Sequence, residues 1–133
     1  MSEQHKAVEI VSNFLEASMA PDPERAATFM SADVSITFTG GRVMDSNQAI
    51  TQFNNSRYAW VKKLFGQYDW TEHADHTVVY SNGTLYGEWP DGRAFSGNRY
   101  LDRFEVRNGQ ITRMDVWNDS AEWILDPSLN RGD

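Results

Sequence analysis

Apolar residues near the start of the chain recur with the period of an α-helix. Between Glu3 and Met19 they fall on one helical face, at Ala7, Val8, Ile10, Val11, Phe14, Leu15 and Met19. This spacing predicts an amphipathic helix. Pro21 and Pro23 end it, and Pro23 suits the first turn of a second, short helix. That helix would carry Ala26, Ala27 and Phe29.

In the segments that follow, the spacing of apolar residues is first that of a strand and then that of a helix. Residues 33–39 alternate between apolar and polar side chains, which predicts a strand that ends at Gly40-Gly41. Asp45 or Ser46 is a suitable N-cap for a third, longer helix, and Gly66 would close it. Its apolar positions are Ala49, Ile50, Phe53, Tyr58, Trp60, Val61, Leu64 and Phe65.

The chain after Gly66 has the pattern of a β-meander. Strand candidates lie at residues 68–79, 84–89, 93–106 and 110–118. Hairpin turns are predicted between them, at Asn82-Gly83, Pro90-Asp91-Gly92 and Asn108-Gly109. The strand at 93–106 is long enough to bend strongly. A last helical turn is expected at residues 120–125.

This order of elements, helices first and then a long meander, predicts an α+β fold. We expect a curved antiparallel sheet with the N-terminal helices packed on one face, so that the two together form a cone with an internal pocket. A length of 133 residues suits one domain, which we place at residues 1–126, with a flexible tail at residues 127–133.

The aromatic content exceeds what a minimal core requires. Five Trp, five Tyr and seven Phe make up 13% of the chain, and rigid side chains of this kind wall a cavity without collapsing into it. A formal net charge of −7 opposes binding to nucleic acid or anionic lipid, because both favour a surplus of Lys and Arg. We therefore expect a small apolar molecule as the ligand, and neither nucleic acid nor membrane as a partner.

The absence of cysteine excludes disulfides, thiolate catalysis and cysteine-ligated metals. The N-terminal residues do not have the pattern of a signal peptide, and no apolar run reaches the length of a membrane span. These features predict a cytoplasmic protein, for which we expect no metal and no cofactor.

Three segments carry a family resemblance, at Ala32-Asp33-Val34, residues 91–97 and residues 103–119. The last contains a Phe, a Gly-x-Ile turn and strand, and an aromatic-x-Asp ending. In this order they resemble the nuclear-transport-factor-2-like superfamily, which includes SnoaL-like polyketide cyclases, ketosteroid isomerases and limonene-epoxide hydrolases. The resemblance implies the cone-shaped fold and a small-molecule pocket. It also implies a homodimer, for which the face with Leu101 and Trp117 is a candidate interface.

The catalytic positions of these relatives are only partly filled. The general base of ketosteroid isomerases falls on Phe38, which carries no proton. The catalytic positions of limonene-epoxide hydrolases fall on Ile36, Phe38, Trp89 and Asp91. Their last-strand Asp falls near Val116, with Asp115 one residue away. The oxyanion-stabilising acid of ketosteroid isomerases falls near Tyr100, which can still donate a hydrogen bond.

Alternation along the strand at 93–106 places one set of side chains on a common face, namely Asn98, Tyr100, Asp102, Phe104 and Val106. Phe104 and Val106 indicate that this face looks inward. Asp102 against apolar walls would then act as a general acid or base, with Tyr100 polarising a substrate oxygen. The alternative is that Asp102 pairs with Arg93 or Arg113 and only joins neighbouring strands.

The last strand supplies a reserve candidate. Asp115 and Trp117 share one face, whereas Val116 and Asn118 share the other, which is better suited to a cavity. A bulge would exchange the two faces, so Asp115 stays a second candidate acid. Trp117 would either pack or contact the ligand.

Histidines and basic residues are weaker candidates. His73 would serve as a base if it points inward, although an exposed histidine is the commoner outcome. On a strand, His73 and His76 would lie on opposite faces, which argues against a metal site. Arg57, Lys62 and Lys63 are expected at a solvated edge.

These observations predict a cofactor-free acid–base enzyme that isomerises, cyclises, dehydrates or hydrates a small hydrophobic carbonyl compound. Its catalytic candidates are Asp102 and Tyr100, with His73 and Asp115 in reserve. Its substrate-binding candidates are Phe14, Phe38, Tyr58, Trp89, Asn98, Val116, Trp117 and Asn118. A non-catalytic ligand-binding module and a dimerisation module are the alternatives.

Overall fold

The computed structural model describes residues 3–130. Its helices are α1 (Glu3–Met19), α2 (Pro23–Ala27), α3 (Asn47–Arg57) and α4 (Ser120–Leu125). Its strands are β1 (Met30–Phe38), β2 (Arg42–Met44), β3 (Trp60–Glu72), β4 (Thr77–Glu88), β5 (Ala94–Arg107) and β6 (Gln110–Asn118). The predicted α+β class is confirmed.

All six strands form one sheet in the order β2-β1-β6-β5-β4-β3. The helix α3 carries the chain from β2 to the opposite edge, and the meander from β3 to β6 then returns until β6 meets β1. This last contact is parallel, whereas the other neighbouring pairs are antiparallel. The curved sheet is therefore mixed and not wholly antiparallel, because its first and last strands, β1 and β6, lie side by side and run in the same direction.

The predicted apolar face of α1 covers the concave side of the sheet. Val11 and Phe14 are fully buried, and the ring of Phe14 meets that of Phe104 edge-on at 5.8 Å between centroids. A second cluster of buried side chains lies toward the other end of the sheet and contains Tyr58, Leu85, Trp89, Phe95 and Tyr100. The concave face between these two clusters is where a ligand site can form.

The third helix is shorter than predicted. It ends at Arg57, and the chain from Trp60 onward forms β3, paired with β4 over its whole length. The residues after Arg57 fit a helical period as well as a strand, so local pattern does not separate the two. The ladder to β4 decides for the strand, because it satisfies backbone groups that a longer helix would have bonded internally.

The first hairpin turn is also displaced from its predicted position. Asn82-Gly83 is not a turn but lies inside β4, opposite a bulge at Gly66 in β3, and the turn is at residues 73–76. A Cβ on Gly83 would come within 2.2 Å of the Leu64 carbonyl oxygen. The glycine thus permits close approach of two strands, which is the other reason for a glycine within a strand pattern.

The remaining turns follow the prediction. Asn108 and Gly109 have φ values of 49° and 80°, as a two-residue hairpin turn requires, and Gly92 has a φ of 89°. The short helix at residues 120–125 is also confirmed. In the predicted tail, the Asn130 amide donates a 3.0 Å hydrogen bond to the Ala94 carbonyl oxygen, and residues 131–133 lie outside the described part.

Candidate functional site

A cavity of about 270 Å³ lies between the concave face of the sheet and the helices. Its walls come from the end of α1, from α3, from the start of β3 and from inward positions of β4, β5 and β6. The apolar lining includes Phe14, Leu15, Phe38, Ile50, Tyr58, Leu85, Met114 and Val116. Such a volume accommodates one small organic molecule.

The inward face of β5 supplies the carboxyl group of Asp102 and the phenol of Tyr100 to the cavity. Even-numbered side chains from Asn98 to Val106 are buried and odd-numbered ones are more exposed, as the alternation predicts. Tyr100 and Asp102 both line the cavity, and the side chain of Asp102 has no exposure to solvent. A carboxyl group in this position is separated from bulk water and within reach of a bound molecule.

Asp102 forms an ion pair with Lys63, so the prediction that places Lys63 at a solvated edge is wrong. Lys63 Nζ donates to Asp102 Oδ2 over 2.5 Å, and the Lys63 side chain is only 10% exposed. The other carboxyl oxygen of Asp102, Oδ1, is buried without a hydrogen-bond partner. Since an unpaired buried oxygen is costly, Oδ1 marks a place where a ligand donor would be stabilised.

Burial and the ion pair act on Asp102 in opposite directions. Burial raises the pKa of Asp102 and is the larger effect, while the charge and the hydrogen bond of Lys63 lower it. Burial also raises the pKa of Tyr100 to about 12, so its hydroxyl is neutral at physiological pH. This hydroxyl lies 3.2 Å from Ser81 Oγ, and either oxygen can be the donor.

Lys63 reaches the cavity because β3 is a strand. It pairs with Leu85 of β4, whose side chain is buried in the inward cluster, so Lys63 shares that face. Its ammonium lies 4.3 Å above the centroid of the Tyr100 ring, a favourable cation–π distance. In the sequence, the strand period would have placed Val61, Lys63 and Phe65 on one face and so indicated the direction of Lys63. This indication is lost when the segment is interpreted as a helix.

Carboxamides and hydroxyls make up the uncharged polar part of the lining. Asn47, Thr51, Asn54 and Asn55 extend along α3, and Asn118 lies at the end of β6. The side-chain oxygen of Asn118 accepts from the Ser120 backbone N–H at 3.1 Å, which fixes its orientation. This arrangement would accept a ligand that is apolar at one end and carries hydrogen-bonding groups at the other.

Several predicted substrate-binding residues lie outside the cavity lining. Trp89 stacks on Phe95, with ring centroids 4.1 Å apart, within the second core cluster. Asn98 is fully buried and donates to Ser120 Oγ at 2.8 Å. Trp117 is 51% exposed on the convex face of the sheet. Of the eight predicted positions, the lining contains Phe14, Phe38, Tyr58, Val116 and Asn118.

The two reserve candidates also lie away from the cavity. Asp115 is on the opposite face of β6 from Val116, and its carboxylate accepts from Arg113 Nε at 2.9 Å. His73 is exposed in the turn between β3 and β4. Its ring stacks on that of His76 at 4.7 Å between centroids, so the two histidines do not lie on opposite faces as predicted. Their turn, unlike a strand, brings them together.

The arginines proposed as structural partners of Asp102 are engaged elsewhere. Arg93 pairs with Asp91 over 2.7 Å, and Arg113 pairs with Asp115. Lys63 occupies the place of an arginine partner. Among residues 3–130, no cluster of three or more His, Asp or Glu side chains is arranged to hold a metal ion, and no helix is long and apolar enough to cross a membrane.

Comparison with known proteins identifies relatives by structure only, since no family model and no curated protein matches the chain. An NTF2-like protein of unknown function from Burkholderia pseudomallei superposes with a TM-score of 0.73 at 18% identity, over 94% of this chain and 97% of that one. TerC, crystallised with polyporic acid, gives 0.71 at 17% identity, over 90% and 96% of the two chains.

A third similar structure, from Jannaschia, is named provisionally as a SnoaL-like polyketide cyclase. It gives a TM-score of 0.70 at 15% identity and covers 93% of each chain. These likenesses show the fold: the chain has the nuclear-transport-factor-2-like architecture that its sequence resembles. At such identities they leave the chemistry to the residues of the cavity.

Proposed function

We propose that this protein is a cofactor-free acid–base enzyme that acts on a small, largely apolar carbonyl compound, with Asp102 as the proton-transferring group. The observation that carries the proposal is Asp102, which lines the cavity and whose buried Oδ1 has no hydrogen-bond partner. In ketones and related compounds, isomerisation, cyclisation and dehydration all begin with a proton transfer near the carbonyl group, which a positioned carboxyl group accelerates.

Tyr100 complements Asp102 in this proposal. Ser81 Oγ can donate to the Tyr100 hydroxyl, which leaves the phenolic proton available for a substrate oxygen. Two similar structures support the substrate class, since one was crystallised with polyporic acid and the other is named for polyketide cyclases. The apolar lining around Phe14, Phe38 and Val116 would hold the hydrocarbon part of the substrate and exclude water.

The alternative is a non-catalytic ligand-binding module, and the Lys63–Asp102 ion pair favours it. A carboxylate already paired with an ammonium at 2.5 Å can be a structural group of the cavity wall. Phe38 also favours this alternative, because it occupies the position of the general base of ketosteroid isomerases and cannot transfer a proton. The two functions differ in whether a bound ketone exchanges protons.

Proton exchange into a test ketone separates them. We would incubate the protein with 2-tetralone in D₂O and follow deuterium incorporation at the α-carbon by NMR. Asp102→Asn should lower the exchange rate by about 100-fold or more, because the proton acceptor is lost. Asp115→Asn is the matched control, since this buried carboxyl lies outside the cavity, and it should exchange normally. Undiminished exchange in Asp102→Asn would exclude the assigned role, and binding without exchange would favour the alternative.

A second copy of the chain is the proposed partner, seated on the convex face of the sheet. Leu101 and Trp117 are paired in register there, and they are 39% and 51% exposed. Leu64 of β3 and Tyr86 of β4 are also exposed, at 65% and 40%. The nearby Arg99–Asp119 pair carries both charges, so in a two-fold dimer each charge would have an opposite charge within reach on the other copy.

The cytoplasmic location stays a prediction of the sequence. It agrees with a cavity enzyme for small metabolites and is part of the proposed function.

A further inference from the structure

Lys63 differs from the other two lysines of the chain in its surroundings. Lys6 is on the exposed part of α1, and Lys62 reaches across to the Met19 carbonyl oxygen. Lys63 places its amine beside the buried carboxyl group of Asp102. Lys62 and Lys63 both line the cavity, and it is the amine of Lys63 that lies among apolar and aromatic side chains next to the cavity carboxyl group.

The contacts of Lys63 suit a nucleophilic amine as well as an ammonium group held in an ion pair. Nζ and Asp102 Oδ2 are 2.5 Å apart, so a proton can pass directly between them. Transfer from the ammonium to the carboxylate leaves a neutral pair, a free amine and a carboxylic acid, in surroundings that disfavour separated charges. A desolvated lysine of this kind is the usual nucleophile toward carbonyl groups.

We infer that Lys63 forms an imine with the carbonyl group of the ligand, with Asp102 as the proton carrier for its formation. This inference deepens the proposed function, on whose cavity it rests, by making the reactive substrate group an aldehyde or ketone. The ring of Tyr100 and the carboxylate of Asp102, which hold the ammonium, would hold the iminium cation in the same place.

The step balances with these two residues alone. The ammonium of Lys63 first gives a proton to Asp102 Oδ2, and the free Nζ then bonds to the carbonyl carbon while the carbonyl oxygen takes up a proton from the nitrogen. Asp102 protonates the hydroxyl of this carbinolamine, the C–O bond breaks, and water leaves. The products are an iminium, a carboxylate and one water. Asp102 Oδ1, which has no partner, would then be available to accept a proton from the neighbouring carbon.

Reductive trapping of an aromatic aldehyde tests the inference. We would treat the folded protein with 2-naphthaldehyde and sodium cyanoborohydride and measure the labelling of each lysine by peptide mass spectrometry. Lys63 should be labelled at least about tenfold faster than Lys6, which lies outside the cavity, because cavity binding brings the aldehyde to the amine. Lys63→Arg should lose this fast labelling, whereas the neighbouring control Lys62→Arg should keep it. Asp102→Asn should slow it, because the proton carrier is gone.

A non-carbonyl ligand of the same shape separates this inference from the proposed function. 2-Naphthalenemethanol cannot form an imine, but it should raise the melting temperature and compete with labelling of Lys63. If Lys63 in the wild-type protein were labelled only at the rate of Lys6, the inference would be overturned. This measurement uses the wild-type protein alone, so it does not depend on whether a variant folds. If the alcohol still stabilised the protein in that case, the cavity function would stand without an imine. If it did not, the cavity function would fail for this ligand class as well.

Discussion

Asp102 and Lys63 illustrate how a single ion pair controls the free energy of this site. Each side chain is almost completely removed from solvent, and each is a charge whose burial is costly without the other. The pair also leaves Asp102 Oδ1 unsatisfied, which a purely structural ion pair would not require. We regard this residual cost as a sign that the site is organised for a ligand rather than for stability.

Removing the lysine should destabilise the protein in a pH-dependent way. Lys63→Met abolishes both interactions that lower the pKa of Asp102, so the folded-state pKa rises further above the ordinary value of 3.8. The folded protein then binds this proton more tightly than the unfolded chain, and stability falls as the pH rises above that value. We expect a loss of about 3–5 kcal/mol at pH 8 and a smaller loss at pH 5.

Urea unfolding of the variant at the two pH values measures this difference. The double variant Lys63→Met with Asp102→Asn is the control, because it has no buried charge and its stability change should be similar at both pH values. A loss for Lys63→Met that is equal at pH 5 and pH 8 would contradict the assignment of the buried charge to Asp102.

At the scale of elements, the β3–β4 hairpin decides which side chains reach the cavity. Its turn at residues 73–76 and its bulge at Gly66 set the register that turns Lys63 inward. The dipeptide Asn82-Gly83 predicted a turn, yet Gly83 lies within β4, where the facing β3 backbone leaves no room for a side chain. Without this register, Lys63 would not face β5.

Two glycine substitutions distinguish a close strand contact from a turn. Gly83→Ala should destabilise the protein by about 3 kcal/mol or more, because its Cβ would overlap the backbone of β3. Gly109→Ala should cost only about 1 kcal/mol, since its φ is 80° but nothing lies within 4 Å of an added Cβ. Urea unfolding gives both values. Equal costs for the two variants would mean that Gly83 is not in close contact with β3.

At the scale of the whole molecule, the two faces of the sheet carry different kinds of side chain. The concave face of the sheet holds the core and the cavity, while the convex face carries exposed aromatic and aliphatic side chains on β3, β4, β5 and β6. Exposed large apolar side chains on one face are consistent with the proposed dimer interface. The cavity is formed within one copy, so assembly and ligand binding are separable.

Association through the convex face should therefore be removable without loss of the cavity. Leu101→Glu would place two like charges near the two-fold axis of the proposed dimer, and sedimentation velocity should show a monomer for this variant and a dimer for the wild-type protein. Val43→Glu is the control, because Val43 is 83% exposed at the edge strand β2, away from the patch. A wild-type monomer, or a Leu101→Glu dimer, would rule out this interface. Stabilisation by 2-naphthalenemethanol should be equal in both variants.

Much of this fold follows from local pattern. The helix α1, the strands β5 and β6, two of the three turns and the helix α4 have periods or turn residues that allow one interpretation. On β5 the alternation alone predicts that Tyr100 and Asp102 share the inward face, since the strand period is two and Phe104 marks the core side. On β6 it places Val116 inward and Asp115 outward for the same reason.

The partner of Asp102 could not be predicted in this way. Residues 60–65 fit a helix as well as a strand, and only the ladder between β3 and β4 selects the strand. Trp89 and Asn98 have the residue types of a binding site, but packing against Phe95 and Ser120 places them outside the lining. Long-range contacts of this kind are made by residues far apart in sequence, so no local period contains them.

By itself, the sequence determined the α+β class, the long inward-facing strand and the position of its carboxyl group, because burial periodicity is a local property of each segment. Tertiary structure alone decided the register of β3, the meeting of Lys63 with Asp102, and the separation of the cavity from the convex face. The physical reason is that a side chain's chemistry is set by what surrounds it, and those surroundings are assembled from distant parts of the chain.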